Sequence, residues 1–176
     1  MRVVAGEARG RPIAAPEGNR TRPTSDRVRE SIFNMLFSLD ANEGAKVLDL
    51  YAGCGALGIE ALSRGAESCV FVEQDRRAVE CIHKNLEAVG YSDRAVVNQV
   101  DVESWIGSDD DEYDLVLADP PYADDRWDEL LDRVNARYVV AEAGGELGEH
   151  PNWDVVRQKT YGTTVVTVLS RRGNRT

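Results

Sequence analysis

The chain carries two alternating patterns of apolar residues. Short, nearly continuous apolar runs predict buried strands, and apolar positions three or four residues apart predict helices. The runs predict strands near residues 46–50, 68–73, 94–100, 113–118 and 138–141, and the spaced positions predict helices near residues 26–39, 57–64, 76–89 and 126–135. Strands that alternate with helices predict an α/β fold with a Rossmann-like, mostly parallel sheet, whose ligand lies at the carboxyl ends of the strands.

The two ends of the chain depart from that alternation. Residues 3–5 and 12–14 flank a glycine-containing turn and predict a small N-terminal β-hairpin. Residues 153–159 and 163–170 alternate around a short turn and predict a C-terminal antiparallel hairpin. A two-stranded hairpin is marginally stable alone, so the N-terminal one is expected to pack on the domain or on a partner.

A glycine-rich turn is the first candidate for chemistry. The stretch from Lys46 to Gly58 is an apolar run that ends in an acid and passes through Gly53 and Gly55 into a helical pattern. Such glycines let a nucleotide approach the backbone, and a similar spacing occurs in dinucleotide-binding sites. Asp49 separates the possibilities, because its carboxylate would repel a pyrophosphate lying on the turn. The ammonium and sulfonium groups of S-adenosylmethionine (AdoMet) need such an acceptor, so AdoMet is the predicted cofactor.

Further acids follow the second and third strands. Glu73 can accept hydrogen bonds from both ribose hydroxyls, as an acid at a comparable spacing does in dinucleotide folds. Asp75 is expected to cap the next helix instead. Asp101 can accept from an adenine amino group beside the backbone amide of Val102, although a helix cap is an alternative role for Asp101.

The sequence Asp119-Pro120-Pro121-Tyr122 follows the fourth strand. Two prolines make a rigid turn, so that the Asp119 side chain and the Pro120 carbonyl can each accept one N–H of a planar amino group. Tyr122 can stack on the ring that carries the amine. Two acceptors and a stacked ring orient the nitrogen and favour the positive charge that develops on it. We predict that residues 119–122 hold an exocyclic amine for methylation, without a dedicated general base.

The net charge of −10 argues against a nucleic-acid partner, but the charge is unevenly spread. Residues 1–29 hold seven arginines and three acids, and the C-terminus adds Arg171, Arg172 and Arg175. This asymmetry favours a polyanion-binding end on an acidic body. We therefore divide the chain into a basic N-terminal hairpin and connector, residues 1–24, and a main domain, residues 25–176.

The remaining composition narrows the class of protein. Three cysteines without a Cys-x-x-Cys pair, together with only two histidines, predict neither a disulfide framework nor a metal site. The N-terminus lacks the apolar segment of a secretory signal, and no apolar run approaches the roughly 20 residues of a membrane span. A cytoplasmic protein without a metal or a membrane partner is expected.

Two further stretches, residues 2–11 (RVVAGEARGR) and 21–30 (TRPTSDRVRE), make a family resemblance specific. Together with residues 49–66, 71–73 and 119–122, they closely resemble the bacterial 16S ribosomal RNA guanine-N2 methyltransferases, which modify a guanine in the head of the small subunit. The resemblance covers residues 2–122 and the closing strands in outline. It implies a class I AdoMet methyltransferase fold and an assembled 30S particle as substrate, and we expect a monomer.

The resemblance also implies roles for individual residues. The implied cofactor-binding residues are Asp49, Tyr51, Gly53, Gly55, Glu73, Asp101 and Val102. The implied catalytic residues are Asp119, Pro120, Pro121 and Tyr122. The implied RNA-binding residues are Arg2, Arg9, Arg11, Arg22, Thr24, Arg27 and Arg29. Arg27 and Arg29 have an alternative role as ordinary solvated helix surface.

Three other functions stay open at this point. A DNA adenine-N6 or cytosine-N4 methyltransferase uses a similar amine-binding turn, but it normally needs a target-recognition domain for which little chain remains. An AdoMet-binding ribosome assembly factor with secondary catalysis is a second alternative. An NAD-dependent oxidoreductase is a third, and Asp49 together with residues 119–122 counts against it.

Overall fold

The computed structural model describes residues 1–16, 24–121 and 126–173. Within these residues one seven-stranded sheet is flanked by five helices. The strands are β1 (Lys46–Leu50), β2 (Ser68–Glu73), β3 (Ala95–Gln99), β4 (Tyr113–Ala118), β5 (Ala136–Ala143), β6 (Trp153–Tyr161) and β7 (Thr164–Arg171). The helices are α1 (Asp26–Phe37), α2 (Ala56–Ser63), α3 (Arg76–Val89), α4 (Val102–Ile106) and α5 (Trp127–Arg133), with a 3-10 turn at Ser92–Arg94.

The strand order of the sheet is β3-β2-β1-β4-β5-β7-β6. The first five of these strands are parallel, and β7 lies antiparallel between β5 and β6. The predicted parallel sheet with a closing antiparallel hairpin is thus confirmed. From the central pair β1 and β4, the sheet is extended on one side by β2 and β3 and on the other side by β5. In an open α/β sheet, a crevice for a ligand lies at the carboxyl ends of the strands where the order reverses in this way.

Helices cover both faces of the sheet. One buried cluster joins α1, α2 and α3 to the sheet through side chains such as Phe33, Ile59 and Ile82. A second cluster joins α4 and α5 to the opposite face through Val102 and Leu131. This three-layer packing explains why the central strands are nearly continuous apolar runs, because both of their faces are buried.

The predicted boundaries of α3 are confirmed, and its ends show why they could be predicted. Asp75 caps the helix by accepting a hydrogen bond from the amide of Ala78 at 2.9 Å, and Gly90 ends it in a left-handed conformation with φ of 79°. The predicted strand at residues 138–141 is too short, because β5 continues to Ala143 and therefore includes the acid Glu142. Residues 102–106 form a short helix.

The N-terminal hairpin is present but nearly without regular strand. A single antiparallel bridge pairs Arg2 with Pro12, where two short strands were predicted. Backbone hydrogen bonds still join its two arms, from the amide of Val3 to the oxygen of Arg11 at 3.0 Å and from the amide of Gly10 to the oxygen of Val3 at 2.9 Å. Helix side chains also bind this segment: Glu60 accepts from the amides of Val4 and Ala5, each at 2.9 Å. Further contacts come from Ser63 and Asn85, so the segment is fastened to α2 and α3.

No helix among the described residues is long and apolar enough to cross a membrane.

Candidate active site

A cavity of about 640 Å³ opens at the carboxyl ends of the central strands. Its volume lies in the range of small-molecule and cofactor sites. The lining includes most of the residues that the sequence predicted for the cofactor and the amine: Asp49, Tyr51, Gly53, Glu73, Asp101, Val102, Asp119, Pro120 and Pro121. Ala15, Pro16 and Thr24 from the N-terminal segment also line it.

The glycine-rich turn forms one wall of the cavity. Tyr51 and Gly53 adopt left-handed backbone conformations, with φ of 56° and 57°. Such a conformation is uncommon for a residue other than glycine, and strained residues of this kind cluster at functional sites. Gly55 does not line the cavity: a side chain there would instead meet Ile82 and Phe71 at 3.4 Å. Gly55 therefore faces the buried side chains of Ile82 and Phe71, and its positive φ of 82° helps to form the turn.

Asp49 is buried at the end of β1 and lines the cavity. One of its carboxylate oxygens accepts a hydrogen bond from the amide of Gly58 at 2.9 Å. Burial raises the pKa of Asp49 well above its usual value, the Gly58 hydrogen bond opposes this, and the charges of Asp119 and Glu73 raise it further. A nearby cation stabilises the ionised form of a buried carboxyl group that lies among other acids. This wall of the cavity therefore suits a positively charged ligand.

Glu73 and Asp101 lie farther along the cavity. The two carboxylate oxygens of Glu73 accept from the amides of Gly53 and Asp75, each at 2.8 Å. Glu73 therefore ties the end of β2 to the glycine-rich turn while it lines the cavity. Asp101 caps α4 by accepting from the amide of Ser104 at 3.1 Å. The capping alternative for Asp101 is thus present, and Asp101 also lines the cavity beside Val102.

The Asp119-Pro120-Pro121 turn, which the sequence predicts to hold an amine, lies at the end of β4, the neighbour of β1. Asp119, Pro120 and Pro121 line the same cavity as the glycine-rich turn, whereas Tyr122 lies outside the described residues. The Thr24 hydroxyl is 3.2 Å from Oδ2 of Asp119. Burial raises the pKa of Asp119 to about 6, against the lowering effect of the Thr24 hydrogen bond.

Glu142 lies beside the cavity, in contact with the lining residue Thr24, and the sequence analysis missed it. It is buried near the end of β5, and its two carboxylate oxygens lie 3.2 and 3.4 Å from the Thr24 hydroxyl. Burial and the charge of Asp119 raise the pKa of Glu142 to about 8. A signal was present in the sequence: Glu142 follows the apolar residues 139–141, as Asp49 and Glu73 follow the apolar runs of β1 and β2.

The predicted RNA-binding arginines fall into two groups. Arg2, Arg9, Arg11 and Arg27 are exposed, and Arg22 lies outside the described residues. For Arg29, the prediction of an RNA contact and the alternative of a solvated helix surface are both wrong. Its side chain is fully buried and donates to the backbone oxygen of Arg2 at 2.6 Å and to Asp26 at 2.7 Å. It joins the start of α1 to the N-terminal hairpin.

Comparison with known proteins identifies relatives over nearly the whole chain. A family model described as "Conserved hypothetical protein 95" matches residues 1–170. A Bacillus subtilis protein, YlbH, described as a candidate rRNA methyltransferase, is 37% identical over 98% of this chain and all of its own length. The ribosomal RNA small subunit methyltransferase D of Escherichia coli is 32% identical over 97% of this chain and 90% of its own length.

Solved structures agree with the fold. An Escherichia coli structure described as a candidate methyltransferase, yhhF, superposes with a TM-score of 0.86 at 32% identity and covers 97% of both chains. A Thermus thermophilus protein described as hypothetical superposes with a TM-score of 0.79 at 28% identity, over 96% of this chain and 98% of its own. The match thus extends over the N-terminal segment as well as the sheet.

Proposed function

The chain belongs to the family of the ribosomal RNA small subunit methyltransferase D proteins, and from that premise we propose that it transfers a methyl group from AdoMet to the exocyclic N2 amine of a guanine in 16S ribosomal RNA. The substrate in this proposal is the assembled 30S particle, and the guanine lies in the head of the small subunit. Because ribosomal RNA is cytoplasmic, the proposal places the enzyme in the cytoplasm.

One observation carries the proposal: a single cavity is lined both by the acidic, glycine-rich turn after β1 and by the Asp119-Pro120-Pro121 turn after β4. The two features that the chemistry requires therefore face the same space. A methyl donor and an amine held there would be positioned for direct transfer, and positioning supplies much of the acceleration of such a reaction.

The cavity fits AdoMet on the chemistry of its lining. Buried Asp49 favours a cationic ligand, Glu73 offers carboxylate oxygens for ribose hydroxyls, and Val102 adds an apolar surface beside Asp101 for adenine. AdoMet supplies the methyl group when it is bound. The protein holds the amine through the Asp119 carboxylate and the Pro120 carbonyl, which turn the nitrogen lone pair towards the cofactor side of the cavity.

The exposed arginines of the N-terminal segment support an RNA-binding role for residues 1–24. Arg9 and Arg11 lie on the hairpin, and the same segment continues to Ala15 and Pro16 at the cavity. An RNA strand whose phosphates bind the hairpin would therefore continue towards the amine site. If so, the double variant Arg9→Ala with Arg11→Ala weakens binding to small subunits and lowers its salt dependence, whereas AdoMet affinity is unchanged.

Asp119→Ala tests the proposed site. Without the carboxylate the amine loses one of its two acceptors, so we expect methyl transfer to small subunits to fall by about a hundredfold or more. AdoMet binding, measured by calorimetric titration, should remain. Asp110→Ala, which removes an exposed acid of the loop before β4, is the matched control and should leave transfer intact. Undiminished transfer by Asp119→Ala would refute the amine-binding role, and binding of NAD instead of AdoMet would refute the cofactor.

A further inference from the structure

Glu142 is a buried acid next to the proposed amine site that the proposed reaction does not use. It lies on β5, beside β4, whose end carries Asp119. Glu142 is not among the residues that line the cavity, whereas Asp119 and Thr24 are. Its described connection to the amine site runs through the Thr24 hydroxyl, which lies within 3.2 Å of both carboxyl groups. Among the described residues, the hydrogen-bonded route from Glu142 to the amine site therefore passes through Thr24.

The hydrogen-bond count of this trio favours one proton on the pair of carboxyl groups. A threonine hydroxyl donates one hydrogen bond and accepts up to two. If both carboxyl groups were ionised, the single hydroxyl hydrogen of Thr24 could be directed at only one of them. The other carboxylate oxygen would then face the Thr24 oxygen at 3.2 Å with no hydrogen between them. If Glu142 carries a proton, it donates to Thr24, and Thr24 in turn donates to Asp119. All three groups are then satisfied.

We propose that Glu142 is a positioning residue that retains a proton, donates it in a hydrogen bond to Thr24, and so keeps the Thr24 hydroxyl directed at an ionised Asp119. Asp119 is then held in place by Thr24 and is free to accept an N–H of the substrate amine with its negative charge. This role rests on the proposed function, because it is the amine that requires an ionised acceptor.

The charges around the trio favour this placement of the proton. Burial and the negative charge of Asp119 raise the pKa of Glu142 most, the Thr24 hydrogen bond lowers it, and Asp49 raises it further. The resulting pKa of about 8 exceeds that of Asp119, about 6. Asp119 lines the cavity and Glu142 does not, so the proton of the pair is placed on Glu142 and the negative charge on the group that lines the cavity.

The pH dependence of single-turnover methyl transfer tests this role, with Glu142→Gln and Glu142→Ala compared with the unchanged chain. The glutamine amide donates to Thr24 at every pH, as the protonated acid does only at lower pH. We expect transfer by the unchanged chain to decline above about pH 8 and the decline to be absent in Glu142→Gln. Near neutral pH, Glu142→Gln should transfer at least about tenfold faster than Glu142→Ala, which is the effect of one lost hydrogen bond to a charged partner.

Two results would overturn the inference: the same alkaline decline in Glu142→Gln, or rates for Glu142→Gln as low as those of Glu142→Ala. Circular dichroism and thermal unfolding establish that both variants fold. A second readout does not depend on transfer: pH-difference infrared spectra should contain a protonated-carboxyl band at neutral pH that Glu142→Gln lacks. Absence of that band overturns this inference and leaves the proposed function standing. Absence of transfer by the unchanged chain overturns the proposed function, and the positioning role with it, even if the band is present.

Discussion

Glu60 offers a direct test of how the N-terminal hairpin is held on the domain. Its side chain is fully buried on α2 and accepts from the amides of Val4 and Ala5, each at 2.9 Å, and from Arg64 at 2.8 Å. A single carboxylate therefore satisfies two backbone donors of the hairpin and a guanidinium of its own helix. Glu60→Ala removes all three contacts at once.

The cost follows from the number and kind of these bonds. A hydrogen bond to a charged group contributes about 1.5–3 kcal/mol, and breaking a buried ion pair by removing one partner costs about 3–5 kcal/mol. Val4 and Ala5 are partly exposed, so water can replace part of the loss. We expect Glu60→Ala to lower the free energy of unfolding by about 3–5 kcal/mol, which for a domain of this size is a fall in Tm on the order of 10 °C.

Urea unfolding measures this effect, and Glu80→Ala is its matched control. Glu80 also pairs with an arginine one helical turn away, Arg76 at 3.0 Å, but both side chains are exposed. Exposed pairs of this kind contribute at most about 1 kcal/mol. Limited proteolysis should also cut Glu60→Ala first within residues 1–16. If Glu60→Ala were no less stable than Glu80→Ala, the hairpin would not depend on the buried carboxylate and the reasoning would fail.

Two further predictions concern the sheet and the site. A Cβ at Gly58 would lie 2.3 Å from Phe71, so Gly58→Ala should cost about 1–3 kcal/mol of unfolding free energy by overpacking, and an unchanged Tm would contradict this close approach of α2 to β2. Burial and the charge of Asp119 raise the pKa of Glu142 from 4.5 to about 8. Between these two pH values the folded chain keeps a proton that the unfolded chain loses. The free energy of unfolding therefore falls as the pH rises through this window. Glu142→Gln removes that penalty: urea unfolding should show little gain at pH 4.5 and a gain of a few kcal/mol at pH 9, at about 1.4 kcal/mol per pKa unit, whereas an equal gain at both pH values would refute it.

Local patterns were sufficient to predict most of the helices and strands and the strand ends that line the cavity. Helix α3 could be predicted because its apolar face and both of its caps, Asp75 and Gly90, lie within sixteen consecutive residues. Asp49 and Glu73 could be found because each ends an apolar run in a fold whose ligand lies at strand ends. These are short-range signals.

What could not be predicted depends on contacts between distant segments. Arg29 is buried because its partner is the backbone of Arg2, 27 residues away, and the helical pattern alone would leave it in solvent. Glu142 follows an apolar run, as Asp49 does, but Thr24, its hydrogen-bond partner among the described residues, lies 118 residues away. The hairpin amides of Val4 and Ala5 bind to the side chain of Glu60, more than 50 residues away along the chain. In each case the partner is set by tertiary packing, which no local pattern records.

Methylation of defined substrates tests the central claim most directly. The protein would be incubated with labelled AdoMet and, separately, with 30S particles that lack the modification, protein-free 16S ribosomal RNA and duplex DNA, and the products would be mapped by mass spectrometry. We predict a single N2-methylguanosine in the head of the 30S particle. Methylation of DNA, of another atom of the RNA, or of no substrate at all would contradict the account.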